Sequence, residues 1–98
     1  MTEDRIMTLH PEGKQGVHIE RAKYDDMRQA LEKVIPSTAE GIASKDLPIL
    51  VVPLLNGELW RDASIVWFVV TVKQDLEARE VIEQVPKTKP QHVRRVEG

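Results

Sequence analysis

The chain has no cysteine, no long apolar run and no basic excess, and each absence excludes a class of protein. Without cysteine among 98 residues, disulfides, thiolate metal sites and a cysteine nucleophile are excluded. The longest apolar stretches, residues 47–55 and 65–70, are interrupted by proline or bounded by charge, and neither approaches the roughly 18 residues of a membrane span. The acidic N-terminus has no apolar signal segment. We therefore expect a cytoplasmic, soluble protein.

Net charge argues against a protein that binds DNA with its whole surface. The formal charge is −2, whereas phosphate neutralisation by a free-standing DNA-binding protein usually needs a basic excess. The charge is nevertheless uneven along the chain. Residues 86–98 carry four basic residues and one acidic residue, a balance of +3, and residues 62–85 carry two basic and five acidic residues, a balance of −3.

The segment 62–85 predicts one helix that leads directly into a strand. Ile65, Val69, Val72 and Leu76 recur at helical spacing and form one apolar stripe. After Glu80 the residues are rich in β-branched side chains, and P-K-T-K-P follows as a turn before a second strand at 91–96. A buried helix followed by a hairpin is typical of the end of a winged helix, so we call this predicted hairpin the wing.

The earlier segments predict the helices that pack on this one. Residues 1–16 have no sustained period and predict a flexible arm, and residues 17–20 predict a short edge strand beside the wing. A helix is expected over 23–35, ended by Pro36. Residues 47–55 predict a second helix that Pro53 shortens or kinks, with a buried strand at 49–52 as the alternative. Residues 17–98 would then form a single winged-helix-like domain.

The stretch V-K-Q-D-L-E-A-R, residues 72–79, with I-E-Q-V at 82–85, resembles a family of small prokaryotic winged-helix-like domains of unknown function. Tyr24 and Trp67 match the same pattern, which covers roughly residues 17–96. The resemblance implies an α+β winged-helix-like fold with three helices and a small antiparallel sheet, and it implies no activity. Relatives commonly have glycine where this chain has Glu80, at the end of the helix.

Candidate catalytic groups are few. His10, His18 and His92 have none of the spacings of a metal site, no Gly-rich phosphate loop occurs, and the serines fit helix caps better than nucleophiles. Asp75 and Arg79 have the spacing of a helix ion pair. This pair predicts either a weak surface contact or a tie between the helix end and the wing. We expect no enzyme activity, no metal and no cofactor.

Two surfaces are candidates for binding. The first would contact nucleic acid weakly through phosphates, with Gln74 as the one side chain suited to reading a base edge; its residues are Lys87, Lys89, His92, Arg94, Arg95 and Gln74. Alternatively, these cations only keep an edge hairpin soluble. The second surface is the outward face of the third helix, where Trp67, Val70 and Thr71 favour a protein partner or a homodimer unless another part of the chain covers them.

Overall fold

The computed structural model describes residues 4–96, which form three helices and five short strands. The helices are α1 (Arg21–Val34), α2 (Leu47–Val51) and α3 (Ile65–Ala78), and the strands are β1 (Arg5–Met7), β2 (His18–Glu20), β3 (Ile42–Ala43), β4 (Ile82–Val85) and β5 (His92–Arg95). One antiparallel sheet pairs β1 with β2, and the other has the order β3-β5-β4. The predicted α+β class, with three helices and a C-terminal hairpin, is confirmed, and it is compatible with a winged-helix-like fold.

The core lies where α1, α2 and α3 meet the inner face of β4 and β5. Its largest fully buried side chains are Met27, Leu31, Ile35, Leu47, Leu76 and Ile82. Trp60, in the loop before α3, packs edge-to-face on Phe68 with ring centroids 4.9 Å apart. Its indole N–H donates to the Asp26 carboxylate at 2.8 Å. This bond holds the loop against α1 and satisfies a polar atom that burial removes from water.

The second helix is short, as Pro53 predicted. After five α-helical residues the chain tightens into a 3₁₀ turn at Val52–Leu54. Proline has no N–H to continue the α-helical pattern, so the helix ends just before it. Leu47 and Val51 face the core. The alternative of a strand at 49–52 is therefore wrong.

The predicted strand near residues 17–20 forms, but its partner differs from the expected one. β2 pairs with β1, and Ile6 stands opposite Ile19. The segment expected as a loose arm thus contains a strand, which at three residues is too short to show a period. Beyond it, the Thr8 N–H donates to the Val17 carbonyl at 2.9 Å. Gly16 allows this approach, because a Cβ there would overlap the Thr8 carbonyl.

The third strand of the wing sheet comes from a segment with no strand pattern. β3 has two residues, and Ile42 stands opposite Val93 of β5. Gly41, immediately before it, has φ +63°. A side chain at Gly41 would overlap the Val93 carbonyl. Gly41 therefore allows the chain to approach β5 closely where β3 begins.

α3 ends in a Schellman motif, with Glu80 in the left-handed position. Its φ is 62°, the Val81 N–H donates to the Leu76 carbonyl at 2.9 Å, and the Glu80 N–H donates to the Glu77 carbonyl at 3.1 Å. Glycine usually takes this position because it has no Cβ. The helix therefore stops here without the glycine that the resembling family commonly has. At its other end, Ser64 accepts from the Trp67 N–H at 3.3 Å and caps the first turn.

Across residues 4–96, none of the helices combines the length and apolar character that crossing a membrane requires.

Candidate interaction surfaces

The tip of the wing, residues 86–91, presents two exposed lysines. Lys87 and Lys89 flank Thr88, and the Thr88 hydroxyl accepts from the His92 N–H at 2.9 Å, which closes the turn. The His92 side chain turns inward, with its Nδ1 2.9 Å from the Glu40 carbonyl oxygen. Lys87 and Lys89 are thus the exposed cations at the tip itself.

The two arginines of β5 bind their own chain. Arg94 donates from Nε to Glu83 at 2.6 Å and from Nη1 to the Ala39 carbonyl at 2.9 Å. Arg95 donates from Nε to the Ile35 carbonyl at 2.7 Å. Each guanidinium thus stabilises the loop between α1 and β3 against the wing. The predicted basic cluster is therefore divided into two exposed lysines and three side chains with internal contacts.

The outward face of α3 is apolar and exposed. The exposed fractions are 60% for Val66, 45% for Trp67 and 44% for Val70, and Thr71 and Gln74 are half-buried beside them. No residue from 65 to 72 carries a charge. We call Val66, Trp67, Val70 and Thr71 the α3 face.

A small groove runs along one side of the α3 face. It has a volume of about 170 Å³, and Leu9, Val17, Trp67, Thr71 and Gln74 contribute to its lining. Leu9 and Val17 are 43% and 40% exposed. The N-terminal hairpin therefore extends the apolar surface and does not cover it.

The C-terminal half of α3 contains a fully buried carboxylate. Asp75 is 0% exposed. It accepts from the Tyr24 hydroxyl, from the Leu9 N–H at 2.9 Å and from Arg79 Nε at 2.9 Å. The weak surface contact considered for Asp75 and Arg79 is therefore wrong, because Asp75 lies one helical turn from Val72 on the buried stripe. The Asp75–Arg79 pair forms, but it joins α3 to α1 and to the N-terminal segment.

The Tyr24 hydroxyl, which binds Asp75, is buried with it. Tyr24 is 2% exposed; burial, followed by its hydrogen bond to Asp75, raises its pKa above the ordinary 10.0. Arg28 Nη1 donates to the same hydroxyl at 3.3 Å, and the Arg79 guanidinium lies over the ring, 5.9 Å from its centroid. Asp75, Tyr24, Arg28 and Arg79 each have a hydrogen-bond partner within the chain, so the arrangement is suited to holding three segments together.

The sequence did contain a signal for this network, because Tyr24 and Asp75 both lie on apolar stripes although their side chains are polar. Tyr24 leads the buried stripe of α1, and a buried hydroxyl needs a polar partner. Asp75 follows Val72 by three residues, the spacing of neighbours on one face. Tyr24, Asp75 and Arg79 also carry the resemblance described above, and the structure brings all three together. Lys73 and Glu77, four residues apart on α3, form a further ion pair at 3.0 Å.

Within the described part of the chain, no group of three or more histidine, aspartate or glutamate side chains is arranged to hold a metal ion. The comparisons with known proteins give one match. No curated protein and no solved structure matches the chain. A family of unknown function matches residues 5–93, a range that includes all three helices, the buried network and every strand except the last two residues of β5. The chain therefore belongs to this family of unknown function, DUF6958.

Proposed function

We propose that the protein is a non-enzymatic interaction module that forms a homodimer through the α3 face. The observation that carries the proposal is the exposure of Val66, Trp67 and Val70 on one uncharged stretch of helix. Tryptophan beside aliphatic residues, with charge kept away from the centre, is the composition of a protein interface core. A groove for nucleic acid would instead need cations at this face.

A second copy is the partner that fits this face best. In a two-fold contact the same residues meet themselves, so charged residues at the centre would repel each other. The stretch 65–72 is uncharged and carries no such penalty.

Sedimentation velocity over a range of concentrations tests the proposal. The wild-type protein should sediment faster as its concentration rises, and Val70→Asp should abolish that rise, because it places one buried charge from each copy at the centre of the contact. Ile49→Asp is the matched control, since Ile49 is 76% exposed and lies on α2, outside the α3 face.

Three results would overturn this proposal. They are a wild-type protein that stays monomeric over the whole range, a dimer that survives Val70→Asp, and equal weakening by Ile49→Asp. Circular dichroism of both variants establishes that they remain folded.

A second candidate function is sequence-independent contact with nucleic acid through the tip of the wing. The observation that favours it is the exposure of Lys87 and Lys89, away from the acidic end of α3. Two phosphate contacts would make the logarithm of the affinity for a mixed-sequence duplex fall with the logarithm of salt concentration at a slope of about −1.8. Replacing both lysines by alanine should remove this binding, and replacing exposed Lys33 and Lys45 should leave it unchanged. Absence of duplex binding at low salt would eliminate this candidate.

A further inference from the structure

Trp67 separates two grooves on the surface of the protein. It lines both of them, one with a volume of about 230 Å³ and the other with a volume of about 170 Å³, and it is itself 45% exposed. A projecting side chain beside a groove can fit a second copy of the same surface, because a two-fold contact places the same residues on both sides.

The two grooves differ in the charge of their lining. Arg5, Glu20 and Lys23 line the larger one, so an apolar side chain that entered it would remove charged groups from water. Among the described residues that line the smaller one, none is an aspartate, a glutamate, a lysine or an arginine. We call the smaller one the hairpin groove, because it lies between the N-terminal hairpin and α3. An apolar side chain fits the hairpin groove better.

Hydrogen bonds fix the wall of the groove that the hairpin contributes. The Leu9 N–H donates to Asp75 at 2.9 Å, which ties the hairpin to α3. The Thr8 N–H donates to the Val17 carbonyl at 2.9 Å, and the Val17 N–H donates to the Thr8 hydroxyl at 3.0 Å. Leu9 and Val17 are nevertheless 43% and 40% exposed. The groove is therefore formed before a partner arrives, which lowers the entropic cost of binding.

The hairpin groove also offers polar partners to an indole ring. An indole N–H needs a hydrogen-bond acceptor when it is buried. Gln15, Thr71 and Gln74 line the groove, and the oxygen of each side chain can accept. Leu9 and Val17 line it as well and would contact the apolar part of the ring.

We propose that Trp67 of each copy inserts into the hairpin groove of the other copy, so that the N-terminal hairpin forms part of the interface. This inference rests on the homodimer proposed above and adds a second segment to the α3 face. Because Trp67 also lines its own hairpin groove, insertion brings the two indole rings into contact, and a pair of aromatic rings adds to the affinity.

Three substitutions in the hairpin test the insertion by their effect on the dissociation constant of the dimer. Leu9→Asn and Val17→Asn each place an amide in the contact and should raise the dissociation constant by about tenfold or more in sedimentation velocity. Met7→Asn is the matched control and should leave it unchanged. Met7 is 39% exposed and lies in the same hairpin, but it is not among the residues that line either groove. Circular dichroism establishes that the three variants remain folded.

Isotope-filtered NMR observes the contact directly. In a mixture of ¹³C-labelled and unlabelled wild-type chains, nuclear Overhauser effects between copies should join the Trp67 ring to the methyl groups of Leu9 and Val17.

The outcomes distinguish the insertion from the homodimer itself. A monomeric wild-type protein would overturn both proposals. If Val70→Asp abolishes the dimer but Leu9→Asn and Val17→Asn associate like the wild type, only the insertion is overturned. Equal weakening by Met7→Asn, or the absence of contacts between Trp67 and the hairpin of the other copy, would overturn it as well.

Discussion

The two halves of α3 reverse the usual relation between polarity and burial. In its first two turns the apolar Val66, Trp67 and Val70 are 60%, 45% and 44% exposed. In its last turns the charged Asp75 is 0% exposed, and the Lys73–Glu77 side chains are 12% and 7% exposed. The exposed apolar half is available to a partner. The buried polar half instead joins α1 and the N-terminal segment to the helix.

This contrast separates the residues that stabilise the fold from the exposed residues that a partner could contact. A buried carboxylate with three donors is energetically demanding, since removing any one partner leaves a desolvated group unsatisfied. An exposed valine adds little to the stability of the monomer. Substitutions in the two halves should therefore differ sharply in their effect on unfolding.

Asp75→Ala should have the largest effect. It leaves the Tyr24 hydroxyl, the Leu9 N–H and the Arg79 guanidinium without their acceptor, and we expect a loss of about 3–5 kcal/mol in the free energy of unfolding. Urea denaturation measures the loss. Asp25→Ala, at an exposed aspartate of α1, is the control and should change stability by about 0.5 kcal/mol or less. Similar losses in the two variants would mean that the network contributes no more to the free energy of unfolding than an exposed aspartate does.

Tyr24→Phe should have an intermediate effect. The ring remains in the core, but Asp75 loses one of its donors and the phenol no longer occupies the site between Arg28 and Arg79. We expect a loss of about 1–3 kcal/mol, measured in urea at neutral pH. A loss within experimental error would show that another donor replaces the hydroxyl.

Tyr24 also predicts how stability depends on pH. Burial and the bond to Asp75 raise its pKa above 10.0, so above that pH the unfolded chain loses the phenolic proton while the folded chain retains it. The contribution is therefore fully present below pH 10.0 and is lost as the pH rises through the folded-state pKa. Between about pH 9 and about pH 11, the wild-type protein should lose more stability than Tyr24→Phe. Parallel pH profiles would contradict this assignment.

Glu80→Gly should raise stability slightly. Glu80 has φ 62°, a conformation that costs a residue with a Cβ more than it costs glycine, and we expect a gain of about 0.5–1 kcal/mol. Glu80→Ala is the control, because it removes the carboxylate but keeps the Cβ and should give no gain. Equal gains in the two variants would assign the effect to charge.

Val70→Asp should have the smallest effect on the unfolding of the dilute monomer, about 0.5 kcal/mol or less, because the side chain is already in contact with water. The adjacent Val69 is 2% exposed, and Val69→Asp should unfold the protein or nearly so. Urea denaturation of this pair measures how abruptly α3 changes from exposed surface to core. A large loss in Val70→Asp would mean that the α3 face belongs to the core of the monomer.

The helices could be predicted from the sequence because aliphatic spacing is a local property. Val69, Val72 and Leu76 are buried as their spacing indicated. Pro53 ends α2 because proline has no N–H for the helical hydrogen bond, which is also a local property. The pairing of β1 and of β3 could not be predicted, since strands of three and two residues show no period and their partners are distant in sequence.

The sequence alone does not show which charged side chains bind to other parts of the same chain. Arg94 and Arg95 suggested a basic surface, but backbone carbonyls of the loop after α1 take up part of their hydrogen-bonding capacity, and only the folded chain brings those carbonyls near. Asp75 followed a buried spacing, yet its charge suggested solvent.

The bond between the Leu9 N–H and Asp75 spans 66 residues of sequence. Chains are synthesised from the N-terminus, so the N-terminal hairpin leaves the ribosome long before the carboxylate that anchors it. Until α3 emerges, the Leu9 N–H lacks this acceptor, whereas β1 and β2 can already pair with each other and contact α1. The tie between Leu9 and α3 can therefore form only after α3 has been made, although Leu9 precedes α3 by more than fifty residues.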